Sequence, residues 1–264
     1  MTSRLPSLFV SHGAPTLALQ PGRAGAALAA FAHTMPTPRA VLVVSPHWST
    51  STLQVTARDR QEAWHDFRGF PRALYALRYD APGDPALAQR VRDMLANAGI
   101  ACELDATRAL DHGAWVPLRL MYPQANIPVV QLSLLSSEDA RVQWKIGAAL
   151  SALRDEGVLV LTSGSFTHNL HEFDPLVAHD APPDPYVEEF RAWMIKALIA
   201  GDRTALLDWR TRAPHAMRAH PTDEHLLPLF IALSAAGERF TPVMRLTDEV
   251  TYGMLAMDAF AFNA

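Results

Sequence analysis

Ala40-Val41-Leu42-Val43-Val44-Ser45-Pro46-His47-Trp48 is the stretch that decides how this chain is read. Residues 40–45 are short, apolar and without polar alternation, as in a strand covered on both faces of a parallel sheet. A proline closes the run and a histidine follows at once. Residues 8–10, 127–134 and 158–162 repeat the pattern, with weaker candidates at 53–57 and 241–246.

Helical patterns fall between these runs. Asp84-Pro85 sets an N-cap before a proline at the first helical position, with Leu87, Val91 and Leu95 on one face. Ser137 is expected to open a second helix carrying Val142, Ile146, Leu150 and Leu153, closed by Gly157. Residues 186–200 give a third. Thr222 is expected to cap a fourth, with Asp223 and Glu224 favourable in its first turn and Gly237 beyond its end. Strands alternating with helices predict an α/β fold with a central, mostly parallel sheet between helical layers. Residues 1–264 read as one domain, and the proline-rich stretch 174–185 as a surface loop.

Composition narrows the function. The 264 residues carry 23 Lys+Arg against 27 Asp+Glu, a formal charge of −4 that offers no electrostatic footprint for nucleic acid. Cys102 is the only cysteine, so neither an intrachain disulfide nor a thiolate metal cluster is available. The opening residues are too short an apolar run for a secretory leader, and no stretch approaches the ~20 apolar residues of a membrane span. A cytoplasmic protein with no membrane role is the expectation. Dinucleotide, P-loop, nucleophile-elbow and His-Glu-x-x-His patterns are absent.

The placement of the eleven histidines is more informative than their number. His12 follows the first strand, His47 the second, and His168 lies a few residues past the strand at 158–162. Ligands in open α/β sheets bind beyond the carboxyl ends of the strands, so these three can converge. His112, in Asp111-His112-Gly113, and His225, near Thr222, stand in polar turns. A lone histidine beside a strand end is more often a hydrogen-bonded loop residue. Three of them, each flanked by Gly or Pro, point to a shared site. Neutral imidazoles without cysteine suit Fe(II), Zn or Ni better than a structural zinc site. His33, His179 and His215 read as solvated, whereas His65, His171 and His220 could line a pocket. Trp48, Trp64 and Trp115 read first as core and second as pocket wall.

Six blocks in order carry a family resemblance: Ser11-His12-Gly13-Ala14-Pro15, Ser45-Pro46-His47-Trp48, His65-Asp66-Phe67-Arg68-Gly69-Phe70-Pro71, Asp111-His112-Gly113-Ala114-Trp115, Ser163-Gly164-Ser165-Phe166-Thr167-His168-Asn169-Leu170 and His220-Pro221-Thr222-Asp223-Glu224-His225. Together they span residues 11–225. The chain resembles the class III extradiol ring-cleavage dioxygenases, in the DOPA 4,5-dioxygenase-like branch. The resemblance implies a non-haem metal held by His12, His47 and His225, with His168 as a fourth ligand or immediate neighbour. It implies Fe(II) for turnover, with zinc able to occupy the same site. Related protocatechuate-type enzymes use a carboxylate where this chain offers both Glu224 and His225, and the DOPA-like pattern favours His225.

The implied substrates are O₂ and a DOPA-like or protocatechuate-like catechol, opened to a muconic semialdehyde. A metal binding both catechol oxygens lowers their pKa and orients the ring. A base must also take a catechol proton, and imidazole suits that task near neutral pH. By its match to the family pattern His112 is the expected acid/base, with His168 assisting it or binding metal. Two other readings stand beside this one: a zinc hydrolase on the same histidines, and a non-catalytic relative that binds metal or a partner.

Overall fold

The computed structural model describes residues 4–136 and 139–263. Its strands are β1 (Ser7–Ser11), β2 (Ala40–Thr50), β3 (Leu53–Thr56), β4 (Cys102–Asp105), β5 (Val129–Leu135), β6 (Val158–Gly164), β7 (Val243–Thr247), β8 (Val250–Thr251), β9 (Leu255–Ala256) and β10 (Ala259–Phe262). Eight of them form one sheet in the order β4-β3-β5-β2-β6-β1-β10-β7, and β8 pairs with β9 in a small ribbon. The centre, β5-β2-β6-β1, is parallel throughout. Antiparallel pairing begins where β3 meets β5 and where β10 meets β1. The four apolar runs read from sequence are this parallel centre. Both weaker candidates are strands as well, β3 and β7. The sequence reading missed β4 and β10 of the sheet and both strands of the small ribbon.

Alternate residues of β2 feed two cores. Leu42 and Val44 pack on one face with the helices Pro85–Asn97, Ala140–Ala149, Pro185–Ala200 and Pro228–Ala235. Val41 and Val43 pack on the other with Gly22–Thr34 and His112–Met121. Every one of these four β2 side chains is fully buried, hence the unbroken apolar run.

Three helix expectations need correction. Ser137 lies outside the described residues, and the helix begins at Ala140 with Asp139 as its cap, accepting from the Arg141 amide at 2.8 Å. That helix ends at Ala149 and a separate 3-10 turn, Ser151–Arg154, carries Leu153. Thr222 caps no helix: residues 222–227 form a run of turns, and the helix starts at Pro228. Two facts explain the delay. Pro228 has no N–H for the Glu224 carbonyl. The His225 carbonyl accepts instead from the Ser165 amide at 2.9 Å, across the end of β6. By contrast the Asp84 cap is as expected, with its carboxylate accepting from the Leu87 amide at 2.9 Å.

Candidate metal centre

The strands β2, β6 and β1 are adjacent and parallel, so their carboxyl ends share one edge of the sheet. His12 is the first residue past β1. His47 stands on an interruption inside β2, which runs on to Thr50: the pairing with β5 breaks between Ser45 and Ser49 and sets Pro46-His47-Trp48 outside the ladder. Such a bulge re-aims a side chain. His168 lies four residues beyond β6, its amide held by the Ala219 carbonyl at 2.8 Å.

Two glycines let the remaining histidines approach. A Cβ on Gly164 would sit 2.1 Å from the His225 carbonyl oxygen, so only glycine lets the His225 turn cross the end of β6. A Cβ on Gly113 would lie 2.3 Å from Ser45 Oγ and 2.9 Å from His47 Cδ2. Its absence allows the helix that starts at His112 to dock on the β2 bulge.

The side chains meet in a cavity of about 430 Å³. His12 Nε2 and His47 Nε2 are 3.0 Å apart. That is the span of a hydrogen bond, and equally of two ligands at right angles on one ion with metal–nitrogen bonds of about 2.1 Å. The His112 ring lies 4.0 Å from His47 and 5.4 Å from His12, centroid to centroid. The His225 ring lies 5.2 Å and 5.6 Å from the same two. His168 stacks on His225 with centroids 3.5 Å apart and planes within 8°.

Three histidines that line the cavity are pinned through Nδ1. His12 Nδ1 meets Ser163 Oγ at 2.9 Å, His225 Nδ1 meets Glu224 Oε1 at 3.0 Å, and His112 Nδ1 meets Asp66 Oδ1 at 2.9 Å. Such outer partners fix ring orientation and tautomer in metal sites. Glu224 Oε1 accepts from both His225 and the Thr222 hydroxyl. Donor atoms of His12, His47 and His112 lie within 4.8 Å of one another, as do those of His168, Glu224 and His225. The donor set is imidazole-rich and pinned from outside, and it fits a non-haem divalent metal.

Electrostatics agree with that use. Burial, reinforced by neighbouring histidines, holds His12 well below the ordinary imidazole value. Burial likewise lowers His47 to about 3, His168 to about 4 and His225 to about 4. All four are uncharged at neutral pH, the form that ligates metal. Burial by itself would raise Glu224, but its interactions with His225 and its hydrogen bonds from a backbone amide and the Thr222 hydroxyl together outweigh this and lower it to about 2.

Other expectations sort cleanly. His33, His179 and His215 are exposed, as read from sequence. Of the three ambiguous histidines none lines the cavity. His65 packs among Phe67, Tyr75 and Trp115. His171 is exposed. His220 is fully buried against Phe190 and Trp209, with Nε2 on the Phe166 carbonyl at 3.0 Å. Trp115 and Trp48 are buried, but Trp64 is 45% exposed and is not core. Trp48 and Trp64 instead both face the Arg108 guanidinium. Arg108 also donates to the His47 carbonyl at 2.9 Å, so it braces the bulge. The sequence reading assigned no role to Arg108, Asp66 or Ser163. Asp66 and Ser163 lay inside the quoted blocks, whereas Arg108 carried no signal.

Comparison with known proteins agrees with the geometry. Residues 8–259 match the family described as the catalytic LigB subunit of aromatic ring-opening dioxygenase. A 4,5-DOPA dioxygenase extradiol of Beta vulgaris is 42% identical over 236 residues, covering 88% of this chain and 87% of that protein. One from Escherichia coli K12 is 36% identical over 261 residues, covering 97% and 94%. A crystal structure of an uncharacterized Escherichia coli K12 protein superposes with a TM-score of 0.80 at 32% identity, covering 98% of this chain and 99% of that one. With its histidines gathered at the strand ends and the match running nearly end to end, the chain belongs to the LigB family and is an extradiol ring-cleaving dioxygenase of the 4,5-DOPA dioxygenase-like branch.

Proposed function

We propose that the protein uses Fe(II) to open a catechol bearing a DOPA-like or protocatechuate-like side chain, with O₂ as co-substrate, to a muconic semialdehyde. The observation that carries this reading is the convergence of the His12, His47, His112 and His225 imidazoles on one cavity large enough for a substituted catechol. His12, His47 and His225 would hold the metal, with His168 stacked beside them as a fourth ligand or a neighbour. When bound, the metal supplies acidification of the catechol and a common point of attachment for ring and O₂.

The rest falls to the chain. Phe67, Phe70, Leu170 and Phe173 line the cavity and would keep bulk water from the ring. His112 Nε2 takes the hydroxyl proton that leaves as the catechol binds and returns one as the ring opens. The test is O₂ uptake and a new visible chromophore from a catechol panel, with protein reconstituted anaerobically with Fe(II). The expected result is turnover that needs Fe(II). No chromophore from any catechol would overturn the reading, and ester or amide turnover with Zn²⁺ alone would replace it with a hydrolase.

A further inference from the structure

Asp66 is the least explained charged group near the cavity. It comes from the loop before the short helix Arg72–Tyr75, far in sequence from His112, and its side chain is only 8% exposed. One oxygen, Oδ1, accepts twice from the same residue: the His112 amide at 3.0 Å and His112 Nδ1 at 2.9 Å. Among the described residues no arginine or lysine pairs with it. Burying a carboxylate without a cation is unfavourable. Holding a loop to a helix end needs no such charge, since a neutral side chain accepting from the His112 amide alone would do so. The charge therefore asks for a purpose beyond packing.

His112 provides one. Its Nδ1 must carry a proton to donate to the carboxylate, so a neutral ring presents a bare Nε2 lone pair. That nitrogen belongs to a ring that lines the cavity and stands beside His47 and His12. Burial pushes Asp66 up, but its bonds from His112 outweigh this and keep it below the ordinary carboxylate value, hence ionised. A fixed anion behind an imidazole both selects the tautomer and stabilises the imidazolium formed on proton uptake.

We propose that Asp66 is a positioning residue that holds His112 as its Nδ1–H tautomer, making Nε2 the acceptor of the catechol proton. This rests on the reading of His112 as the acid/base. The proton moves from the catechol oxygen to Nε2. The Nδ1–H stays on the ring, hydrogen-bonded to the Asp66 carboxylate, and the Nε2 proton is the one later returned.

The test compares wild type with Asp66→Asn in three measurements. Long-range ¹H–¹⁵N spectra of histidine-labelled, metal-free protein read the tautomer, with His112→Gln assigning the signal. Chelator competition reads metal affinity, and steady-state kinetics separate kcat from KM. Wild type is expected to show Nδ1–H at His112, and Asp66→Asn to lose that preference. The variant is expected to hold metal within about twofold and to lose kcat on the order of a hundredfold with KM little changed. An Nε2–H signal in wild type, which needs no variant to fold, overturns the proposal. So does unchanged kcat in Asp66→Asn. Metal loss in that variant overturns it too, because His112 would then be a ligand. Full kcat in His112→Gln sinks the acid/base reading instead, while the wild-type tautomer still tests Asp66 by itself.

Discussion

The floor and the walls of the cavity are built by different means. The floor is His12, His47, His168 and His225, polar groups set at the ends of parallel strands or hydrogen-bonded across them. The walls are Phe67, Phe70, Leu170, Phe173 and Tyr252, apolar or aromatic side chains carried by connecting segments. Phe173 and Leu170 are about half exposed, whereas His12 is 2% and His225 7% exposed. A rigid sheet holds the chemistry and loops hold the shape, a division that permits one to change without the other.

The largest test of that division strikes the floor. His12→Ala and His47→Ala are each expected to abolish tight metal binding and all ring opening, read by elemental analysis and O₂ uptake. His225→Ala is expected to do the same while Glu224→Gln keeps most of the metal; the reverse pattern would make the centre a two-histidine, one-carboxylate site. His112→Gln, at the boundary of floor and wall, is expected to keep its metal and lose about a hundredfold in rate. If it loses metal, the boundary is misdrawn and His112 belongs to the floor.

Beneath the floor, His220 tests how much strain of neutral burial the region bears. Burial lowers its pKa to about 3, while its bond to the Phe166 carbonyl opposes that shift. Its folded value lies below the unfolded ~6.5, so its contribution is complete above pH 6.5 and is lost as pH falls toward 3. Between pH 6.5 and 5 the loss is about 2 kcal/mol at ~1.4 kcal/mol per unit. Urea titrations of metal-free protein at both pH values are expected to show a smaller drop in His220→Gln than in wild type. The mildest effect belongs to the wall: Phe173→Ala is expected to raise KM for catechol about threefold to tenfold with kcat within twofold. A large fall in kcat would mean the wall also takes part in the chemistry.

Floor and walls differ also in how far they could be read from sequence. Val41–Val44 and the other central strands announce themselves because burial on both faces leaves no polar residue among them. His12 and His47 follow directly from those strand ends. His225 did not follow in the same way, since its turn is shaped by Pro228 and by a bond to Ser165, neither of which gives a periodic signal. β10 escaped because Ala259–Phe262 alternates alanine with phenylalanine and carries no β-branched residue. Tyr252 reaches the cavity from a turn with φ of +54°, a conformation that side-chain chemistry does not advertise. Arg108 and Asp66 act through contacts 61 and 46 residues away, and such pairs are legible only once the chain is folded.

The close crossing at Gly164 has a consequence for how the protein is made. His12 emerges from synthesis long before His225, and the two meet only after the turn at 222–227 has closed over the end of β6. On the proposed ligand set of His12, His47 and His225, a nascent chain that still lacks this turn has no complete donor set. On that reading strong metal uptake is a late event in biogenesis, and it rewards only chains in which the His12 and His225 segments are already joined. Because a ligand that prefers the native form stabilises it by mass action, metal supply and the lifetime of the finished protein would then become linked quantities.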